Sequence, residues 1–183
     1  MDQHISHIIE LCKEGDSNGQ RQLYDLYSPV LFSMCLRYAR TVEDAEDILS
    51  EAFYKIFTKI SSFKGQGSFE GWMKRITVNE ALMSLRKKNT LNMSVELSEV
   101  KEQAYDDDIV SRLSYNELLI ILEELPPGYR TVFNMYVIEG YKHREIAEHL
   151  NISINTSKSQ LILAKKKMRE LIKKKELKYR YHE

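Results

Sequence analysis

An all-α fold in two small domains is predicted by three features of this 183-residue chain. Helix formers dominate, and only three prolines and seven glycines occur. Apolar residues recur at helical spacing along most of the length, with no alternating β-pattern of any extent. A polar, acidic, aperiodic stretch, NTLNMSVELSEVKEQAYDDD at 89–108, divides the helical pattern in two. The expected organisation is a first domain at 1–90, a linker at 91–108, and a second domain at 109–183 that ends in a basic tail.

Each element has its own signal. The first helix covers roughly 3–14 and stops at EGDSNG. A second begins near Ser17 and reaches about Arg40, with Ser28-Pro29 able to kink or restart it. Thr41 reads as an N-cap with Asp44 three residues on, and the helix behind it reaches about Ile60. KGQGS at 64–68 is a loop, and a further helix runs from Phe69 to about Lys88. Beyond the linker, helices are expected at 109–124, 129–138, 142–150 and 154–175, with LPPG at 125–128 as the break between the first two.

Composition narrows the function classes. The N-terminal MDQHISHIIELCKEG lacks the cationic start and apolar core of a signal peptide, and no apolar run is long enough to span a bilayer. Cys12 and Cys35 lie far apart in apolar patterns, without C-x-x-C or a nearby histidine cluster. They read as reduced core thiols of a cytoplasmic protein, with no metal and no cofactor expected. No P-loop, nucleophile elbow or H-E-x-x-H supports enzymatic chemistry. The net charge of zero hides segregation: residues 1–95 are neutral, 96–124 carry −7, 125–157 are neutral, and 158–183 carry +7. A basic end of this kind suits a polyanionic partner.

The segment REIAEHLNISINTSKSQLILAKKKMREL, 144–171, sits at the start of that basic end. A short helix, a tight turn and a second helix give helix-turn-helix spacing. Ala147 is small where two helices cross, Asn151 suits a left-handed turn residue, and Ser153 can cap the second helix. At about 100° per residue, Ser157, Leu161, Ala164, Met168, Leu171 and Ile172 share one arc, the expected buried face. Thr156, Ser159, Leu163, Lys166 and Lys167 lie opposite, and Lys158, Lys165 and Arg169 flank them. Hydroxyls followed by cations suit a helix whose first turns meet base edges and whose lysines meet phosphates.

The first half carries a second constellation. On the helix at 42–60, Asp44, Asp47 and Glu51 lie roughly opposite the apolar face and form a candidate docking strip for a basic surface. On the helix at 69–88, Trp72, Arg75, Asn79 and Arg86 fall within an arc of about 60°. Aromatic, cationic and amide side chains together can stack on an exposed base, bond its edge and hold the backbone. Read alone, Trp72 fits a core anchor better than a base-stacking role.

Two blocks match a known family. DAEDILSEAFYKIFTKISSFKGQGSFEGWMKRITVNEALMSLRKK (44–88) resembles the second conserved region of the extracytoplasmic-function sigma factors of bacterial RNA polymerase. LPPGYRTVFNMYVIEGYKHREIAEHLNISINTSKSQLILAKKKMREL (125–171) resembles their fourth region. The resemblance implies a non-enzymatic initiation factor that binds core RNA polymerase and promoter DNA in the bacterial cytoplasm, nucleoid-associated when active. An anti-sigma factor is an expected antagonist, and no direct membrane insertion is expected. Asp44, Asp47 and Glu51 become candidates for the polymerase interface. Lys64, Ser68, Trp72, Lys74, Arg75, Asn79 and Arg86 become candidates for the melted −10 strand. Thr156, Lys158, Ser159, Gln160, Leu163, Lys165 and Lys166 become candidates for the −35 duplex. The chain departs from the family pattern at Met83 (often Asp), Asn151 (often Gly), Lys142-His143 (usually a Ser or Thr cap) and Leu163 (frequently Arg). An autonomous helix-turn-helix regulator is the alternative; it shares 142–171 but leaves the Trp72–Asn79 stripe unexplained.

Overall fold

The computed structural model describes residues 3–88 and 114–180. The chain divides into two compact units between Lys87 and Lys88, and every regular element among the described residues is helical. The expected linker at 91–108, the expected helix start at 109–113 and the last three residues lie outside the described residues.

The first unit is built from α1 (Gln3–Lys13), α2 (Ser17–Tyr38), α3 (Val42–Lys59) and α4 (Phe69–Lys87), with a 3₁₀ turn at Ile60–Ser62. Asp16 starts α2: its Oδ1 accepts from the Gly19 N–H at 2.7 Å. A Cβ at Gly19 would stand 2.5 Å from Leu11 Cβ, so α1 and α2 approach closely there because the residue is glycine. Pro29 lies inside α2 without ending it. Burial of Leu31, Met34, Cys35 and Tyr38 beyond the proline outweighs the one backbone bond it forfeits. Thr41 caps α3 as expected, its Oγ1 accepting from the Asp44 N–H at 3.1 Å. α3 packs on both α2 and α4, and Ile48, Ala52 and Ile56 of α3 and Met73, Val78 and Ala81 of α4 are buried.

A polar tie joins α3 and α4. Lys55 of α3 pairs with Glu80 of α4 at 2.8 Å, and Glu80 is 8% exposed. Met83 Sδ lies 3.8 Å from the same ammonium. The cation that an Asp at 83 would meet is therefore already met by a carboxylate one turn earlier.

Both cysteines are buried and free. Desolvation, helped by the Asp16 charge, pushes the Cys12 thiol up to about 11, and burial pushes Cys35 up to about 12. Neither forms a thiolate at neutral pH, which suits packing rather than reactivity.

The second unit holds α5 (Tyr115–Glu123), α6 (Pro127–Phe133), a π turn at Asn134–Ile138, α7 (His143–Leu150) and α8 (Ile154–Arg180). Ser114 and Glu117 form a reciprocal capping box at the start of α5. The helix expected at 129–138 begins two residues earlier, because a proline at the first helical position needs no N–H partner. Its second half widens to a π turn, with the Glu139 N–H reaching the Asn134 carbonyl at 2.9 Å. Both α6 and α7 pack on α8, which buries Ser157, Leu161, Ala164, Met168, Leu171 and Ile172, the face the helical wheel predicts.

Candidate nucleic-acid interface

The helix-turn-helix is made locally by three devices. Asn151 closes α7 in the left-handed region, at φ 54° and ψ 49°. Ser153 Oγ accepts from the Thr156 N–H at 2.9 Å and so caps α8. The third is at the start of α7, where Lys142 has no lone pair with which to cap. Glu145 supplies the bond instead, its Oε2 accepting from the Lys142 N–H at 2.8 Å. The missing Ser or Thr cap is thus offset from three residues downstream.

The first turns of α8 present most of the expected reading residues. Lys158 and Lys166 are exposed; Thr156, Ser159, Leu163 and Lys165 are half-buried. Ser159 Oγ donates to the Asn155 carbonyl at 3.0 Å, and the Thr156 hydroxyl lies 2.8 Å from that of Ser153. Gln160 is placed differently from the other expected readers. It is 1% exposed, and its Oε1 is buried without a hydrogen-bond partner. A side chain so covered has no edge to offer a base unless the helix leaves its neighbours. The helical wheel contains this signal: Gln160 falls about 20° beyond the buried arc, and only the family pattern set it among the readers. Gln160→Met is therefore expected to leave promoter binding unchanged and to raise stability by about 1 kcal/mol, by removing an unsatisfied buried acceptor. Parallel melts and promoter titrations check this.

His143, the first residue of α7, was not among the expected site residues, and no periodicity marks it. Its Nδ1 lies 2.9 Å from the Ser157 hydroxyl of α8, and its ring stacks on Tyr136 with centroids 4.4 Å apart. Burial, then the Lys158 charge, lowers its pKa below the ordinary 6.5. In that range the unfolded chain binds the proton that the folded chain resists. The contribution is fully present above about pH 6.5 and declines as pH falls toward the folded value. Thermal melts of the whole chain between pH 7.5 and 5.5 should show this decline, and His143→Asn should flatten it.

In the first unit the expected strand-binding residues divide into groups. Lys64, Arg75, Asn79 and Arg86 are exposed. Lys74 is half-buried and pairs with Glu70 at 2.7 Å. Gly65 and Gly67 take φ of 73° and 83°, so the loop before α4 turns in a way that side chains rarely allow. Ser68 is exposed, yet its Oγ accepts from the Gly71 N–H at 3.1 Å and caps α4. Trp72 is half-buried: its ring stacks on Phe69, 5.6 Å away at 19°, and tilts against Phe63 at 5.6 Å. One side of the indole is anchored while part of it remains open. On α3, Asp47 and Glu51 are exposed and Asp44 is half-buried, spaced to share one face.

This arrangement offers hydroxyls and cations at the start of a helix-turn-helix helix, and an aromatic, cation and amide stripe in a separate unit. Among the described residues no helix is long and apolar enough to cross a membrane. The Sigma-70 region 2 family matches residues 23–90, and the Sigma-70 region 4 family matches 115–168. The chain is 28% identical to ECF RNA polymerase sigma factor SigW of Bacillus subtilis over 94% of its own length and 99% of that relative. It is 24% identical to ECF RNA polymerase sigma-E factor of Escherichia coli K12, covering 86% of this chain and 88% of that one. The sigma factor RpoE from Bartonella quintana, solved in complex with the anti-sigma factor NepR, shares the fold with TM-score 0.54 and 21% identity, over 84% of this chain and 96% of that one. Two helical units bearing regions 2 and 4 define a sigma-70-type transcription initiation factor, a non-enzymatic class that binds core RNA polymerase. Within that class the chain belongs to the ECF sigma factors.

Proposed function

We propose that this ECF sigma factor grips one promoter at two places, through the residues just described. Thr156 and Ser159 meet base edges of the −35 duplex, while Lys158, Lys165 and Lys166 meet its phosphates. Leu163 cannot read guanine; it suits a thymine methyl. The loop at 63–69 captures a base turned out of the −10 element. Trp72, Arg75 and Asn79 stack on and bond the melted strand, while Lys64, Lys74 and Arg86 follow its backbone. Asp44, Asp47 and Glu51 dock on a basic surface of core polymerase.

The observation that carries this reading is the sidedness of α8. Lys158 stands exposed at its start while Ser157, Gln160 and Leu161 are covered. Melting on this account is capture. Opening a base costs a few kcal/mol, and stacking it returns about 1–3 kcal/mol. Polymerase and phosphate contacts supply the rest. An anti-sigma factor, the class of partner seen with the Bartonella relative, is the proposed antagonist. The proposed site of action is the cytoplasm.

A photo-crosslinking residue placed at Ser159, and separately at Arg75, tests the assignment. With core polymerase present, adducts should map to −35 duplex for the first position and to the −10 non-template strand for the second. Adducts at one common element, or equal yields without polymerase, would contradict it.

A further inference from the structure

We propose that His143 and Ser157 are a positioning pair: a hydrogen bond between the two helices of the helix-turn-helix that sets how α8 presents Thr156, Lys158 and Ser159 to DNA. This rests on the reading of α8 as the −35 helix. The two atoms, Nδ1 and Oγ, are 2.9 Å apart across fourteen residues of chain. Ser157 is 0% exposed and stands between two of the proposed reading residues, Thr156 and Lys158. The His143 ring is held in turn by the Tyr136 ring, 4.4 Å away and inclined by 24°. Three successive elements are thereby tied at one point: the π turn, α7 and α8.

A serine inside a helix commonly turns its hydroxyl to the carbonyl four residues back. Here Ser157 reaches another helix. α7 and α8 also pack on each other, and their Ile146, Ala147, Leu150 and Leu161 are buried and apolar. Apolar packing is non-directional, and a helix can roll against it as side chains change rotamer. A hydrogen bond is satisfied over a few tenths of an ångström and a limited angle. The bond survives in either neutral tautomer, since Ser157 can donate to Nδ1 or accept from it. It thus fixes the roll of α8 just where a small rotation would move Lys158 and Ser159 off their targets.

The test uses the full chain assembled with core RNA polymerase on two templates. One carries both promoter elements; the other lacks the −35 element and has a premelted −10 region. Ser157→Ala removes the hydroxyl. His143→Phe keeps a ring against Tyr136 but removes Nδ1. His143→Asn keeps a polar atom near the Nδ1 position and loses the stack. Each of the first two is expected to lower occupancy of the complete promoter about 3- to 10-fold. The double variant Ser157→Ala/His143→Phe should lose no more than the worse single, because both remove one interaction. His143→Asn should retain occupancy within about twofold of the parent chain, and the premelted template should be transcribed equally by all.

Several results would overturn the pair. A double-variant loss equal to the product of the singles would make the two residues independent. An Asn variant as poor as the Phe variant would remove the hydrogen bond from the account. Equal loss on the premelted template would mean general unfolding. Indifference of the unaltered chain to the −35 element is a distinct result: it defeats the underlying reading of α8, and the proposal with it.

Discussion

Alanine at Thr156, Lys158 and Ser159 together is expected to lower occupancy of a −35-bearing promoter by about 100-fold or more, and to leave the protein folded. On the proposed reading, two hydroxyl contacts to base edges and one phosphate contact are removed, each worth roughly 1 kcal/mol or more. The fold is protected by how α8 is capped. Ser153 accepts from the backbone N–H of Thr156, so that bond survives loss of the side chain. The Ser159 hydroxyl is engaged with the Asn155 carbonyl of its own helix, and alanine is the better helix former there. Lys158 is exposed. Filter binding or footprinting of the assembled polymerase, beside a thermal melt, separates recognition from folding. The Lys158→Ala component should weaken all sequences alike and flatten the salt dependence. Near-normal transcription by the triple variant would instead favour a pure protein-interaction role.

Trp72→Ala is expected to impair open-complex formation about 10- to 100-fold while closed-complex binding changes much less. A stacked base contributes about 1–3 kcal/mol, and each 1.4 kcal/mol is tenfold. The variant also strips one side of the cluster formed with Phe63 and Phe69, so a stability loss of about 2 kcal/mol accompanies it. Trp72→Phe distinguishes the two consequences. It keeps an aromatic plane for both neighbours and base, and should restore opening to within several-fold. Equal losses in closed and open complexes, unrelieved by phenylalanine, would return Trp72 to the role of a core anchor.

The same residues explain what was legible beforehand. The α8 face was readable because burial of a long helix leaves a repeat of 3.6 residues, and Ser157, Ala164 and Met168 obey it. Caps at Thr41 and Ser153 were readable because the acceptor lies three residues from its donor. LPPG does separate α5 from α6, and the helix starts at Pro127, two residues before the expected 129, because proline in the first turn is tolerated. The His143–Ser157 bond and the Lys55–Glu80 pair were invisible, since each joins separate helices at spacings no local rule marks. Gln160 lies about 20° outside the predicted buried arc, and its 1% exposure extends that arc by one position. Trp72 was open to both readings, and its anchored but half-open ring shows why composition alone could not separate them.

Transcription with purified components tests the central claim most directly. Core RNA polymerase, a promoter carrying both elements and the purified chain are combined, and transcripts are mapped. The account predicts initiation at one fixed start point that requires the chain, co-migration of the chain with core polymerase, and failure when either promoter element is scrambled. Failure of the chain to associate with core polymerase, or initiation indifferent to its presence, would contradict the account.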